Sequence, residues 1–480
     1  MPEKMPSTIH LIGIGGTGLS AIARVLLESG YTVQGSDRQN NSFIEGLREA
    51  GAQVFVGHNP KNITGADLVI RSSAVPDDNP EVQAAYKAHI PVVKRADFLG
   101  QLMGGRMGIA VAGTHGKTTT TAMIAWILTA LGLDPTFIIG GISINLGTNA
   151  HAGIGEAFVI EADEYDRMFL GLQPKIAVVT NIEHDHPDCF PTPEDFYQAF
   201  LEFVNNLTPG GVLVACGDDP GAARLVRAAA ELGHPTLSYG RLNTQHTCLA
   251  HHLTPNTYGG FTFDVICNST LRGNTDRRLS LVTISLQVPG EHNVLNALAA
   301  LAVATQLELP LTETARALSE FKGTGRRFEI RGEASGVTVI DDYAHHPTQI
   351  RTTLSAARAR FPGRPLWAVW QPHTYTRTRT LLDQFANAFK DADHVLMTDI
   401  YAAREAAPSD GFSTRQVVAA IQHDDIHYVP SLGQVAAFLL ARLRPGDVLL
   451  VLSAGDADQI STQVLSALER NHKNVQKNSA

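Results

Sequence analysis

Cysteine is scarce in this chain. There are four in 480 residues, Cys189, Cys216, Cys248 and Cys267, and none forms a C-x-x-C pair. That scatter excludes a disulfide-built scaffold and argues against a structural zinc site, so free thiols in a reducing compartment are expected. Basic residues are also in deficit, with 38 Lys and Arg against 47 Asp and Glu and a formal net charge of -9. The sequence therefore offers no basic footprint for nucleic acid, and no such partner is expected. Anionic ligands remain open, because loops and helix ends bind phosphate whatever the global charge. Long apolar runs are missing too. Stretches such as Ile109–Ala112 fall far short of the ~20 residues a membrane helix needs. Met1 to Thr8 carries no apolar run behind a basic start, so neither a signal peptide nor a membrane partner is expected, and the expected location is cytoplasmic. The sequon Asn268-Ser269-Thr270 then has no functional meaning. Internal repeats and low-complexity tracts are absent.

Hydrophobic residues make up 44% of the chain, with 42 Gly and 24 Pro to make turns, as in a globular protein. At roughly 100–200 residues per domain, the length implies three domains. Residues 1–104 alternate short apolar strands (Ile9–Ile12, Tyr31–Val33, Val54–Val56, Leu68–Ile70, Val92–Val93) with helical patterns, which predicts a Rossmann-like parallel sheet. Residues 105–323 open with the strand Ile109–Ala112 and a helix from Lys117 to about Leu131, and continue with apolar runs at Ala157–Ile160, Ile176–Thr180 and Val212–Cys216. This is the pattern of an α/β domain, and the Gly-rich loop that follows Ile109–Ala112 makes the P-loop-type ATPase the expected kind. Thr236–Val288 changes to short alternating stretches that predict antiparallel hairpins, and Asn293–Gln306 reads as a helix. Residues 324–480 follow a hinge at Lys322–Gly325, and Val337–Ile340, Leu366–Trp370, His394–Thr398 and Val448–Leu452 predict a second Rossmann-like α/β unit. The tail from Arg470 to Ala480 is polar and is expected to be mobile.

The chemistry lies at strand ends. Gly113-Thr114-His115-Gly116-Lys117-Thr118-Thr119 joins a strand to a helix. Its glycines let backbone N–H groups approach a triphosphate, the helix N-terminus favours negative charge, Lys117 can neutralise phosphate, and Thr118 can ligate Mg²⁺. Glu161, Asp163, Glu164 and Asp166 follow one strand, and Glu183, His184, Asp185 and His186 follow another. Ligands gather beyond the C-terminal ends of parallel strands, and carboxylates delivered there suit Mg²⁺. The N-terminal Gly13-x-Gly15-x-x-Gly18, with Asp37 after the next strand, has the form of a dinucleotide fingerprint. Its physical content is a nucleotide diphosphate at a helix start. The third segment carries Arg326-Arg327-Phe328, Asp341 to Pro347 (DDYAHHP) and Gln371 to Arg379 (QPHTYTRTR), cationic and histidine-rich groups fit to stabilise transition-state charge from a closing unit.

Taken together, IHLIGIGGTGLSAIARVLLESGYTVQGSD (Ile9–Asp37), RSSAVP (Arg71–Pro76), GTHGKTTTT (Gly113–Thr121), EADEYD (Glu161–Asp166), NIEHDHPD (Asn181–Asp188) and DDYAHHPT (Asp341–Thr348) resemble the Mur ligase family over nearly the whole chain. Within that family the match is to the branch that adds L-alanine to UDP-N-acetylmuramate. The resemblance implies a UDP-sugar site at Gly15, Gly16, Thr17, Gly18, Asp37 and Ser73 in the first domain. It implies ATP at Gly113–Thr119, His292, Asn296, Arg327 and Asp342. Thr118 and Glu161 would hold one Mg²⁺, and His186 with Glu161 a second. The amino acid would meet Tyr343, His373 and Arg377, and Lys117, His186, Arg327 and His345 would serve catalysis. ATP and Mg²⁺ are the implied cofactors, and ATP, UDP-N-acetylmuramate and L-alanine the implied small-molecule partners.

Two departures bear on this. Relatives that make later additions carry a carbamylated lysine about one helix beyond the histidine matching His186, whereas Asp195–Leu207 has no Lys and a carboxylate such as Glu202 would stand in. Family members commonly have Arg where Thr374 stands, which leaves Arg377 to hold the amino-acid carboxylate and widens the acceptable amino acids to Ser or Gly. Other readings are a ligase for a preformed tripeptide, a nicotinamide-dependent oxidoreductase built on Gly13–Gly18, and a nucleotide-binding scaffold without turnover. The oxidoreductase leaves the Gly113 loop unexplained. The intact set Lys117, Thr118, Glu161 and His186 argues against the scaffold.

Overall fold

The computed structural model describes residues 7–270 and 277–478. Three α/β units follow one another. The first is a five-stranded parallel sheet in the order Gln53–Val56, Thr32–Asp37, Thr8–Ile12, Leu68–Arg71, Val92–Lys94. The strand order reverses beside Thr8–Ile12, so the crevice for a ligand opens there, at Gly13. Ile9, Leu11 and Ile12 are fully buried because helices cover both sheet faces. The helix Thr17–Glu28 presents Leu19, Ile22, Val25 and Leu26 to that sheet and ends at Ser29-Gly30, where Gly30 takes φ +87°.

The second unit is a ten-stranded sheet. Its parallel centre runs Thr236–Gly240, Val212–Cys216, Ile176–Val179, Met107–Ala112, Ala157–Glu161, Thr136–Ile138. The helices Lys117–Ala130 and Glu291–Gln306 pack on each other and on this sheet. The stretch expected to form hairpins does so only from Cys248 onward, with Cys248–Pro255, Phe261–Thr270 and Arg277–Ser285 antiparallel. Thr236–Gly240 is parallel to Val212–Cys216, since the helix Pro220–Glu231 carries the chain back across the sheet. Cys248 and Cys267 face each other in the antiparallel register and are joined as a disulfide, which corrects the expectation of four free thiols. Cys189 and Cys216 are free.

The third unit is a six-stranded sheet in the order Glu329–Ala334, Val337–Asp342, Val448–Leu452, Leu366–Trp370, His394–Met397, Ile426–Tyr428, parallel except for its first pair. A single helix runs from Asp458 to Asn478, and its buried Ile460 and Val464 hold its N-terminal part on the sheet. The last two residues of the expected mobile tail lie outside the described residues, as do Met1 to Pro6. Among the described residues no helix is long and apolar enough to cross a membrane.

Candidate active site

The phosphate-type loop forms where Met107–Ala112 ends. Gly113 takes φ +129° and Gly116 φ +84°, and a Cβ on Gly116 would lie 2.4 Å from Asn296 Oδ1, so only glycine fits there. Gly116 also starts the helix Lys117–Ala130, with no side chain capping it. The first N–H groups of that helix are left for a ligand. Thr114 is tied to Glu183 by its hydroxyl, which donates to the Glu183 carbonyl at 2.7 Å. Lys117 Nζ donates to the Gly113 carbonyl at 2.6 Å and pairs with Glu164 Oε1 at 2.8 Å. Burial works against the Lys117 charge, but Glu164 and Asp163 outweigh it and raise its pKa. Burial pushes the Glu164 carboxyl up to about 7 against the pull of Lys117, and among the described residues Glu164 Oε2 is buried without a hydrogen-bond partner.

Thr118 and Glu161 meet as the sequence expects, with Thr118 Oγ1 donating to Glu161 Oε1 at 3.0 Å and Gly140 N donating to Oε2 at 2.6 Å. A hydroxyl beside a carboxylate is an all-oxygen donor pair that fits Mg²⁺. His186 does not join them. Among the described residues the carboxylates within 4 Å of its ring are Glu164 and Asp185, both at 3.8 Å from Nε2. Arg377 Nη2 donates to His186 Nδ1 at 3.2 Å, so a neutral His186 carries its proton on Nε2 and has no lone pair there for a metal. The expected pairing of His186 with Glu161 at a second metal is therefore replaced by a His186–Glu164 neighbourhood. Glu161 ends its strand, whereas Glu164 lies past the strand end and precedes the turn Tyr165–Gly171. Glu202 is exposed and paired with Arg167 at 3.1 Å, away from these acids.

Beside the loop lies a cavity of about 340 Å³ whose walls include Gly116, Thr119, His292, Asn296, Arg327 and Asp342. Central and C-terminal units share it. His292 is half-buried, its Nδ1 is buried with no partner among the described residues, and desolvation, with the charges of His115 and Arg327, lowers its pKa to about 4. Asn296 accepts from Thr120 Oγ1 at 3.2 Å and donates to Asn293. Asp342 receives the Phe328 and Ala344 N–H groups at 2.7 and 2.8 Å, and burial raises its pKa. Arg327 reaches Thr118 Oγ1 at 3.4 Å and lies over the Tyr343 ring.

A second cluster faces the acids. His345 Nδ1 donates to the Tyr343 carbonyl at 2.9 Å, so its Nε2 keeps a lone pair, and burial and Arg377 hold its pKa well below the usual value. Arg377, expected to await a substrate carboxylate, is already engaged. Nε donates to Asp185 Oδ1 at 2.7 Å, Nη1 to His373 Nδ1 and Nη2 to His186. Two of its five N–H groups remain. Thr374 caps the helix Tyr375–Thr380 from φ +63°. An exposed guanidinium, Arg404, stands over the Tyr165 ring at 4.4 Å and bears on His373. The seam is rich in strained backbone: His186, Arg326, Phe328 and Thr374 all sit at positive φ.

In the first unit the glycine loop holds together through Asp37, whose Oδ2 accepts from Gly15 N at 2.9 Å. Gly16 precedes the helix that begins at Thr17, with no side-chain cap. Gly18 faces Arg95, whose guanidinium occupies the space a Cβ would need. Ser73 is exposed at a turn whose neighbour Ser72 packs on Gly13. Arg95 also approaches Asp163 at 3.7 Å and so bridges the first and central units. Sequence reading missed Arg95, Gln349 and Arg404, and it missed the partners of Glu164, Asp185 and Thr348. The hint was that Glu164, Asp185 and Thr348 lie in motifs already singled out.

Residues 8–106 match the description "Mur ligase family, catalytic domain", residues 111–304 "Mur ligase middle domain" and residues 326–455 "Mur ligase, glutamate ligase domain". The chain belongs to the Mur ligase family. Mur ligases similar to it include the UDP-N-acetylmuramate–L-alanine ligase of Roseiflexus sp. (strain RS-1), 44% identical over 470 residues that cover 96% of this chain and 99% of that protein. The protein of the same name from Geobacter sp. (strain M21) is 43% identical over 464 residues, covering 96% and 97%. Among solved Mur ligases, the crystal structure of UDP-N-acetylmuramate–alanine ligase from Thermotoga maritima matches with a TM-score of 0.79 at 28% identity, covering 97% of this chain and 99% of that one. A murein peptide ligase from Psychrobacter arcticus matches at 0.74 and 26%, covering 96% and 99%. The three-unit α/β fold is thus that of a Mur ligase.

Proposed function

We propose that this chain is an ATP- and Mg²⁺-dependent ligase that joins L-alanine to UDP-N-acetylmuramate in the synthesis of a cell-wall precursor, working in the cytoplasm. The observation that carries the reading is the seam itself. Arg377 of the C-terminal unit reaches Asp185 at 2.7 Å, beside the Gly113 loop, where Lys117 and Thr118 meet acids from the neighbouring strand end in an arrangement suited to a triphosphate. The names of relatives 42–44% identical to the chain support the choice of alanine.

In this reading residues 1–104 bind the UDP-sugar through Gly15, Gly16, Thr17, Gly18, Asp37 and Ser73, residues 105–323 bind ATP, and residues 324–480 bind the amino acid. His292, Asn296 and Asp342 face the nucleoside, and Gly113–Thr119 with Arg327 face the phosphates. Thr118 and Glu161 would hold Mg²⁺, which shields phosphate charge when bound. The lactyl carboxylate attacks the γ-phosphorus, the bond to the β-bridging oxygen breaks, and ADP leaves with an acyl phosphate remaining. Lys117 leaves Glu164 to follow the charge on the phosphates, and Arg327 stabilises the same charge from the closing unit. The amine of alanine then attacks the acyl carbon, and inorganic phosphate departs. His345, unprotonated at neutral pH, offers its Nε2 lone pair to an amine hydrogen, while His186 and Tyr343 shape the pocket. Arg404 and the two spare N–H groups of Arg377 meet the amino-acid carboxylate beside His373.

The test is phosphate release with ATP, Mg²⁺ and UDP-N-acetylmuramate while free amino acids and a cell-wall tripeptide are added singly. Release that depends on alanine is expected. Release with the tripeptide alone, or none with alanine, overturns the reading.

A further inference from the structure

Gln349 lies in the first turn of the helix Pro347–Arg360, and its amide has one possible orientation. Its Oε1 accepts from the backbone N–H groups of His345 and His346 at 3.0 and 3.1 Å. The amide nitrogen must then be the donor, and it donates to Nδ1 of His115 in the ATP loop at 2.9 Å. A ring nitrogen that accepts carries no proton, so neutral His115 carries its proton on Nε2. Nε2 donates to Glu183 Oε2 at 2.9 Å, and Glu183 Oε1 accepts from Thr348 Oγ1 at 2.8 Å, which returns to the helix where the path began. Each bond in this ring fixes the next. Backbone N–H groups cannot become acceptors, and a carboxylate has no proton to give.

The His115 backbone is itself held by hydrogen bonds to the end of the neighbouring strand. Its N–H donates to Asn181 Oδ1 at 2.9 Å, and its carbonyl accepts from Thr180 Oγ1 and Asn181 Nδ2 at 2.6 and 3.0 Å. Whatever positions the His115 ring therefore positions the backbone that would cradle phosphate. His115, Glu183 and His346 also bring three potential ligand atoms within 4.8 Å of one another. Both His115 nitrogens are committed to the ring, so no lone pair is left there for a cation.

We propose that Gln349 is a positioning residue through which closure of the C-terminal unit sets the ATP loop, by holding His115 as its Nε2–H tautomer in a one-way hydrogen-bonded ring with Glu183 and Thr348. The same amide oxygen anchors the backbone of His345, so the amino-acid pocket and the phosphate loop are registered to each other by one side chain. The kinetic part of this proposal rests on the ligase reading. The tautomer does not.

Two measurements test it. Nitrogen-15 spectra of histidine-labelled wild-type protein, with His115 assigned by its loss in H115Q, should show a proton on Nε2 and a bare Nδ1. A proton on Nδ1 overturns the proposal, and this readout needs no variant of Gln349 to fold. The second is a polarity reversal. Gln349→Met should lower kcat by about 10-fold or more and leave the KM for the sugar nucleotide unchanged. The pair Gln349→Glu with Glu183→Gln can close the ring with His115 in the opposite tautomer, so its kcat should return to within about threefold of wild type. A reversed pair as slow as Gln349→Met, or a Gln349→Met enzyme with normal kcat, overturns the proposal. Wild-type protein that shows the Nε2–H tautomer yet no alanine-dependent phosphate release would sink the ligase reading alone.

Discussion

Arg377 Nε and Asp185 Oδ1 stand 2.7 Å apart, although 192 residues separate them and they belong to different sheets. Both side chains are at most 5% exposed. A buried pair of this kind tells little about net stability while intact, but breaking it strands a charge. Asp185→Asn leaves the guanidinium uncompensated against two imidazoles. The expected cost is about 3–5 kcal/mol of stability, with docking of the C-terminal unit weakened. Thermal unfolding and alanine-dependent turnover check this together, and a variant that melts and turns over like wild type would remove the pair from the mechanism.

Glu164 competes with phosphate for Lys117. Its carboxylate holds Nζ at 2.8 Å inside a buried pocket, so ATP binding has to break that pair. Glu164→Gln should bind ATP more tightly by up to about tenfold, because a neutral amide competes less for the ammonium. Titration calorimetry with ATP decides the matter. Weaker binding would mean that Glu164 holds the loop open for ATP and does not oppose it.

Gly116 offers a sharper steric test. Alanine there must adopt φ +84° and place its Cβ 2.4 Å from Asn296 Oδ1. The backbone strain alone is about 1 kcal/mol, and the displaced Asn296 lies in the wall of the nucleotide cavity. Gly116→Ala should fold, melt slightly lower and lose at least about tenfold in ATP affinity. An unchanged dissociation constant would show that the loop does not hold nucleotide in this geometry.

His292 carries a pH signature. Burial, with His115 and Arg327 nearby, holds its pKa near 4 in the folded chain, against roughly 6.5 when unfolded. The unfolded chain therefore binds the extra proton between those values. The stability that goes with a neutral His292 is complete above pH 6.5 and is lost as the pH falls toward 4. His292→Gln has no such loss. Denaturant unfolding at pH 7 and pH 5 should show the variant gaining on wild type by about 2 kcal/mol at the lower pH. A gap that does not change with pH would contradict the burial of a neutral imidazole.

Glycines and strand ends were the legible part of this molecule. A run such as Ile109–Ala112 ahead of Gly113 has one physical reading, and the buried strand Met107–Ala112 meets it. Local spacing could not say which of two acids on one segment faces which partner. Glu161 ends a strand and turns to Thr118, whereas Glu164 lies past the strand end at the start of a turn and faces Lys117. Arg377 looked free because its partner lies in another unit. Gln349 looked like an ordinary helix-start residue because its meaning depends on a histidine far away in sequence. The Cys248–Cys267 bridge was hidden because the register that aligns the two residues comes from the hairpin and not from their spacing.

The strained residues at the seam bear on how such a chain can change over generations. Phe328, with φ +49°, and Thr374, with φ +63°, hold backbone shapes that glycine would adopt without penalty. Glycine there would relieve the strain but would remove the Thr374 cap and the Phe328 ring packed on the C-terminal core, so selection for heat resistance gains little at these sites. Those replacements would also loosen the two hinges that carry Arg327 and Arg377 to the ATP loop. Thermal adaptation of this protein should therefore proceed elsewhere, in the helices and sheet interiors, and leave the seam under tension.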